Sequence, residues 1–190
     1  MPLLHLLRQN PVIAAVKDNA SLQLAIDSEC QFISVLYGNI CTISNIVKKI
    51  KNAGKYALFM LICWKARQIK KSLFSFETGD RGGRHYQYQS LNVESGKSGS
   101  FFCIHRLFIV DSISFHNIDK QVAQSNPDCI EILPGCMPKV LGWVTEKIRQ
   151  PLIAGGLVCD EEDARNAINA GVVALSTTNT GVWTLAKKLL

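Results

Sequence analysis

The chain has 190 residues, 47% of them hydrophobic and 19% charged, a size and balance that fit one globular domain with a substantial core. No apolar run reaches the roughly 18 residues of a membrane span, and the apolar N-terminus lacks the basic segment and small-residue cleavage site of a secretory signal. The seven cysteines (30, 41, 63, 103, 129, 136 and 159) are scattered, odd in number and never spaced C-x-x-C, which speaks against a zinc ribbon or disulfide framework and for reduced thiols in a cytoplasm.

Taken in order, Pro11–Val16 reads as a buried strand, with Lys17, Asp18 and Asn19 as the loop after it. Ser21–Cys30 carries Leu22, Ala25 and Ile26 at helical spacing, and Phe32–Leu36 is a second strand followed by a Gly38-Asn39 loop. In Ile43–Ala53 an apolar stripe of Ile43, Ile46, Val47 and Ile50 faces away from the lysines; Gly54 stops this helix, and Lys55–Phe59 starts a third strand. Strands and helices alternating over short connections predict a parallel α/β domain.

From Met60 to Ser100 that rhythm is lost. The stretch has no sustained period of 2 or 3.6, and so long an irregular segment is improbable inside a compact α/β domain. It holds the run Arg81-Gly82-Gly83-Arg84, which looks like an RNA-binding segment but is discounted, because the irregular stretch around it is itself anomalous. It also holds seven of the 21 Lys/Arg and three of the 15 Asp/Glu, so four of the six net positive charges; the rest of the chain is only +2. Overall basicity is therefore poor evidence for nucleic-acid binding.

The alternation resumes with a strong strand over Cys103–Ser112, a short helix over Ile118–Ala123, a strand over Asp128–Leu133 and a helix over Lys139–Ile148. The most informative stretch is Pro151–Asn179. Leu152–Ala154 is a short buried strand, and Gly155-Gly156 lets backbone approach a ligand and present its N–H groups. Asp160 caps a helix whose stripe is Ala164, Ala167 and Ile168, and Gly171 ends it. Val172–Leu175 is a further strand, leading into the loop Ser176-Thr177-Thr178-Asn179. In barrels of parallel strands the last two such loops commonly hold a phosphate. Gly155, Gly156, Ser176, Thr177, Thr178 and Asn179 are therefore the candidate phosphate ligands, Asn179 equally a stabiliser of its own turn.

Arg106 and Glu131 each sit inside an apolar strand, where an unpaired charge is costly. They are either ligand contacts or a structural ion pair with each other. Asp111 ends a strand on the ligand side or caps a helix, and Gly135, after Pro134, shapes a loop at the same end. Lys139, Lys17 and Asp18 read as solvated, and His105 and His116 as structural, with no companions at metal-ligand spacing. No nucleophile–base motif, metal site or cofactor motif is legible.

Four segments resemble the glycerol uptake operon antiterminator regulatory proteins of bacteria: Pro11–Asp18, His105–Ser112, Asp128–Gly135, and Ile153–Leu157 with Ser176–Asn179. The resemblance covers about 1–59 and 101–183. It implies an α/β fold, a parallel (β/α) barrel of the triosephosphate-isomerase type, as a single domain over 1–190. It also implies glycerol 3-phosphate as effector and an mRNA leader as target in transcription antitermination, with no catalytic residues. Relatives of this kind carry a segment like His-Val-Asp-Leu-Leu-Glu-Gly after the third strand and a fourth strand like Ala-Asp-Gly-Ile-Ile-Ser-Thr-Lys. Both are missing in this frame. Codons shifted from the third base of Phe59 can read the first, and codons shifted from the second base of Thr78 can read the second. Residues 60–100 therefore look frame-shifted, with a divergent insertion as the alternative, and the barrel is expected to be incomplete around its third and fourth strands. Two other functions fit the same residues: a phosphosugar-binding barrel enzyme of isomerase, aldolase or synthase type, and a non-functional frame-shifted product.

Overall fold

The computed structural model describes residues 2–58 and 104–189. The shifted frame expected over 60–100 and the Arg81–Arg84 run lie outside the described residues, as do Phe59 and Cys103 at the outer ends of two expected strands. Helix α1 (Pro2–Gln9) leads into β1 (Val12–Val16), α2 (Asn19–Asp27), β2 (Phe32–Val35), α3 (Ile40–Asn52) and β3 (Tyr56–Leu58). Then come β4 (Ile104–Phe108), α4 (Ser112–His116), α5 (Ile118–Ser125), β5 (Cys129–Leu133), α6 (Pro138–Lys147), β6 (Leu152–Gly155), α7 (Glu161–Asn169), β7 (Ala174–Thr177) and α8 (Thr180–Trp183). Among the described residues no helix is long and apolar enough to cross a membrane.

Every strand pair is parallel, and the sheet runs β3-β2-β1-β7-β6-β5-β4. This is chain order wrapped round a ring, with the first strand beside the last. A doubly wound sheet would instead reverse its strand order at a switch point. Among the described residues no strand joins β3 to β4, the two strands that border residues 59–103. The architecture is thus the expected incomplete (β/α) barrel.

Alternation along the strands builds two apolar layers. Ile13, Phe32, Leu58, Ile104, Cys129, Ile153 and Ala174 point into the ring, where Leu7 of α1 packs among them. Val12, Ala14, Ile33, Ala57, Leu107, Ile130, Leu152 and Leu175 point outward against the helices. The N-terminal end of the ring is therefore filled with apolar side chains, and the polar groups of β4 to β7 gather at its C-terminal end.

Local chemistry moves several boundaries. The strand expected to run to Ser112 stops at Phe108, because Asp111 Oδ1 accepts from Ser114 N at 2.7 Å and caps α4. Asp18 and Asn39 form capping boxes that start α2 and α3 earlier than their apolar stripes do. The last strand shifts from Val172–Leu175 to Ala174–Thr177, since Ser176 pairs with Ile13 on one side and Gly155 on the other. Helices α1, α4 and α8 were not anticipated; with eight, five and four residues they are too short for a periodic signal.

Candidate functional site

The polar mouth of the ring is built from β4, β5, β6 and β7. Arg106 and Glu131 stand in register on β4 and β5. Arg106 Nε donates to Glu131 Oε2 at 2.5 Å, with the arginine 16% and the glutamate 1% exposed. The two charges in apolar strands are thus partners of each other. It also leaves Glu131 Oε1 and the terminal N–H groups of Arg106 without a hydrogen bond among the described residues.

The Gly-Gly pair does two different things. Gly155 makes room: a Cβ there would lie 2.5 Å from Glu131 Oε1. Gly156 has φ +71°, in the left-handed region that favours glycine. Its N–H reaches the Ser176 carbonyl at 3.4 Å, and its own carbonyl accepts from Gly135 N at 2.8 Å, so the loops after β5, β6 and β7 are laced together. Gly135 must be glycine for a third reason, since a Cβ would lie 2.9 Å from the Ala154 and Gly155 backbone.

After β7 the polar residues divide. Ser176 points into the ring, and its hydroxyl makes no hydrogen bond among the described residues; Thr178 is exposed at the rim. Thr177 points outward and is occupied, donating to the Val158 carbonyl at 2.7 Å and accepting from Asn179 N at 3.0 Å. Asn179 Oδ1 caps α8 through Gly181 N and Val182 N, while its Nδ2 donates to the Cys159 carbonyl at 2.7 Å. Asn179 thus braces its own turn.

The remaining candidates lie elsewhere. Ser114 holds the Asp111 carboxyl below its ordinary range through its backbone N–H and its hydroxyl. His105 points outward, its Nδ1 2.6 Å from Ser125 Oγ, and burial lowers its pKa from the ordinary 6.5. His116 packs edge-on against Phe115. Lys139 sits over the Trp143 ring at 5.3 Å, beside a surface groove of about 720 Å³ between α4 and α6 that sequence reasoning did not single out. Inside the ring, burial pushes the Cys129 thiol up to about 12, so it stays protonated. Among the described residues no three His, Cys, Asp or Glu side chains gather as a metal site.

Sequence reasoning also passed over Ser34. Its side chain is fully buried on β2, and its hydroxyl has no hydrogen-bond partner among the described residues. The signal was present, a lone serine in the apolar run Phe-Ile-Ser-Val, but a single hydroxyl does not announce which face it takes.

Fold and mouth together define a parallel (β/α) barrel that gathers its polar groups at the C-terminal ends of its strands. The family model for glycerol-3-phosphate responsive antiterminators matches residues 12–61 and 88–183, and the chain belongs to that family. The interruption, 62–87, falls within the irregular stretch 60–100. The chain is similar to the uncharacterized protein YgcP of Escherichia coli strain K12, 78% identical over 191 residues and covering 100% of both chains. Its fold is shared by the glycerol uptake operon antiterminator regulatory protein of Listeria monocytogenes, with TM-score 0.70, 22% identity, and coverage of 90% of this chain and 94% of that one. It is also shared by a glycerol uptake operon antiterminator-related protein of Thermotoga maritima, with TM-score 0.63, 24% identity, and coverage of 92% and 98%.

Proposed function

We propose that this chain is a cytoplasmic regulator that binds glycerol 3-phosphate in the mouth of its barrel and, in response, changes its hold on an mRNA leader that controls glycerol-use genes. The observation that carries the reading is the family match over residues 12–61 and 88–183. The mouth supports it chemically. Ser176, the rim residue Thr178 and the free N–H groups of Arg106 suit a phosphate, while Glu131 Oε1 suits a hydroxyl of the polyol. Gly155, Gly156 and Gly135 shape the floor these groups stand on, and Thr177 and Asn179 hold the loop from behind. Regulation then needs no turnover and no cofactor: ligand and RNA each bias one folded state, and the coupling is reciprocal.

The test is retention of a glycerol-operon leader RNA with and without glycerol 3-phosphate, run beside turnover assays on triose and pentose phosphates. Ligand-dependent retention without turnover is the expected result. Turnover of a phosphosugar with no effect on RNA would overturn it in favour of a barrel enzyme, since this fold hosts many chemistries.

A further inference from the structure

Among the described residues, Ser34 Oγ is the one buried side-chain polar atom with no hydrogen-bond partner. A hydroxyl taken from water and given nothing in return costs stability, and native proteins rarely keep one without a use. The direction it faces is fixed by its neighbours. Ile33 and Val35 pack in the outer layer against the helices, and Phe32 packs inside the ring. Alternation therefore sends Ser34 into the ring interior, two residues nearer the mouth than Phe32.

Ser34 stands between Leu58 of β3 and, on the side where the ligand groups stand, a small residue of β1. Ser34 pairs with Ala15 of β1, and Ala15 lies two residues beyond Ile13, which pairs with Ser176. One strand separates the two serines, and its inward side chain at that level is a methyl group. With strands about 4.8 Å apart and a rise of about 3.3 Å per residue, the two backbones are roughly 12 Å apart. Inward side chains converge further, so a three-carbon phosphate ester with a hydrogen bond at each end spans the gap.

We infer that Ser34 is a ligand contact: it hydrogen-bonds a hydroxyl of the polyol part of a phosphorylated polyol whose phosphate lies toward Ser176 and Arg106. This rests on the functional reading above and adds to it the residue that separates a polyol phosphate from a plain alkyl phosphate. A site built to hydrogen-bond a hydroxyl rejects the analogue that lacks it.

The experiment is calorimetric titration of the wild type and Ser34→Ala with glycerol 3-phosphate and with n-propyl phosphate, which keeps the carbon chain and has no hydroxyls, together with thermal unfolding of both proteins without ligand. Ser34→Ala should bind glycerol 3-phosphate about tenfold more weakly, the value of one hydrogen bond, and bind propyl phosphate unchanged. Its ligand-free melting temperature should equal or exceed that of the wild type, because the orphan hydroxyl is gone. Equal loss for both ligands, or no loss, overturns the inference and leaves the functional reading standing. A lower ligand-free melting temperature also overturns it, since the hydroxyl would then have had a partner, such as a trapped water, already. A wild type that binds neither ligand overturns the functional reading, and the inference falls with it.

Discussion

The Glu131 carboxylate lies against the backbone of Gly155, so closely that a Cβ at 155 would sit 2.5 Å from Oε1 and 2.9 Å from Cδ. The first glycine of the Gly-Gly pair is therefore the space in which the glutamate of the neighbouring strand turns toward Arg106. Gly155→Ala should push Glu131 off its partner and cost about 1–3 kcal/mol, the usual range for overpacking. For a chain of this size that lowers the melting temperature by several degrees, which thermal unfolding reads directly.

The Arg106–Glu131 pair should respond unequally to loss of each partner. Glu131 is 1% exposed and Arg106 16%, so removing the arginine strands a charge that water reaches poorly. Arg106→Met should cost about 3–5 kcal/mol, and Glu131→Gln, which keeps an acceptor for Nε, less. The double variant Arg106→Met with Glu131→Gln should cost less than the sum, because it leaves no lone buried charge. Urea unfolding of the four proteins measures the cycle.

His105 ties stability to pH. Burial lowers its pKa below 6.5, so the unfolded chain binds the proton more readily than the folded one. Stability is unaffected by this group above about pH 6.5 and falls as the pH drops from there toward the folded pKa, at no more than ~1.4 kcal/mol per pH unit. His105→Gln, which can still bond Ser125, should flatten the loss between pH 7 and 5. An unchanged slope in that variant would show that another group carries it.

Asn179 latches the loop after β7 to the loop after β6, since one amide both caps α8 and donates to the Cys159 carbonyl. Asn179→Ala should cost about 1–2 kcal/mol as a lost cap and should also weaken glycerol 3-phosphate binding, because Ser176 and Thr178 stand on the loop it holds. Asn179→Asp keeps the cap and loses the donor, so it should retain most of the stability and show the binding loss.

What the sequence revealed and what it withheld divide along physical lines. The βαβ rhythm and the Asp160 cap were legible because apolar spacing and capping are local. That Arg106 and Glu131 each needed a partner was legible too, because a charge in an apolar strand has to be answered. Which partner each took depended on strand register, and register is set by contacts distant in sequence. The same holds for Thr177 against Ser176: two adjacent hydroxyls in one polar loop separate only when the strand extends through both and turns one outward to Val158. Gly155 and Gly156 looked alike as a pair, yet one is glycine for its neighbour's carboxylate and the other for its own φ.

The β3–β4 side of the ring yields the last prediction. Only β3 and β4 lack a neighbour on one side among the described strands, and they border the stretch where the family match is interrupted, 62–87. In shifted codons residues from about 60 to 100 can read His-Val-Asp-Leu-Leu-Glu-Gly, starting at Phe59, and then, downstream of Thr78, Ala-Asp-Gly-Ile-Ile-Ser-Thr-Lys, the second with the apolar centre of a strand. Pairing such a strand between β3 and β4 would give both strands a second neighbour and close the barrel. A chain with the frame restored over 60–100 should therefore unfold more cooperatively and at a higher temperature than the unaltered chain. Glycerol 3-phosphate should raise its melting temperature further by mass action, since Leu58 of β3 and Arg106 of β4 both face the interior that closure would enclose. If the two chains melt together and respond equally to the ligand, residues 60–100 serve the fold as they stand and the frame is intact.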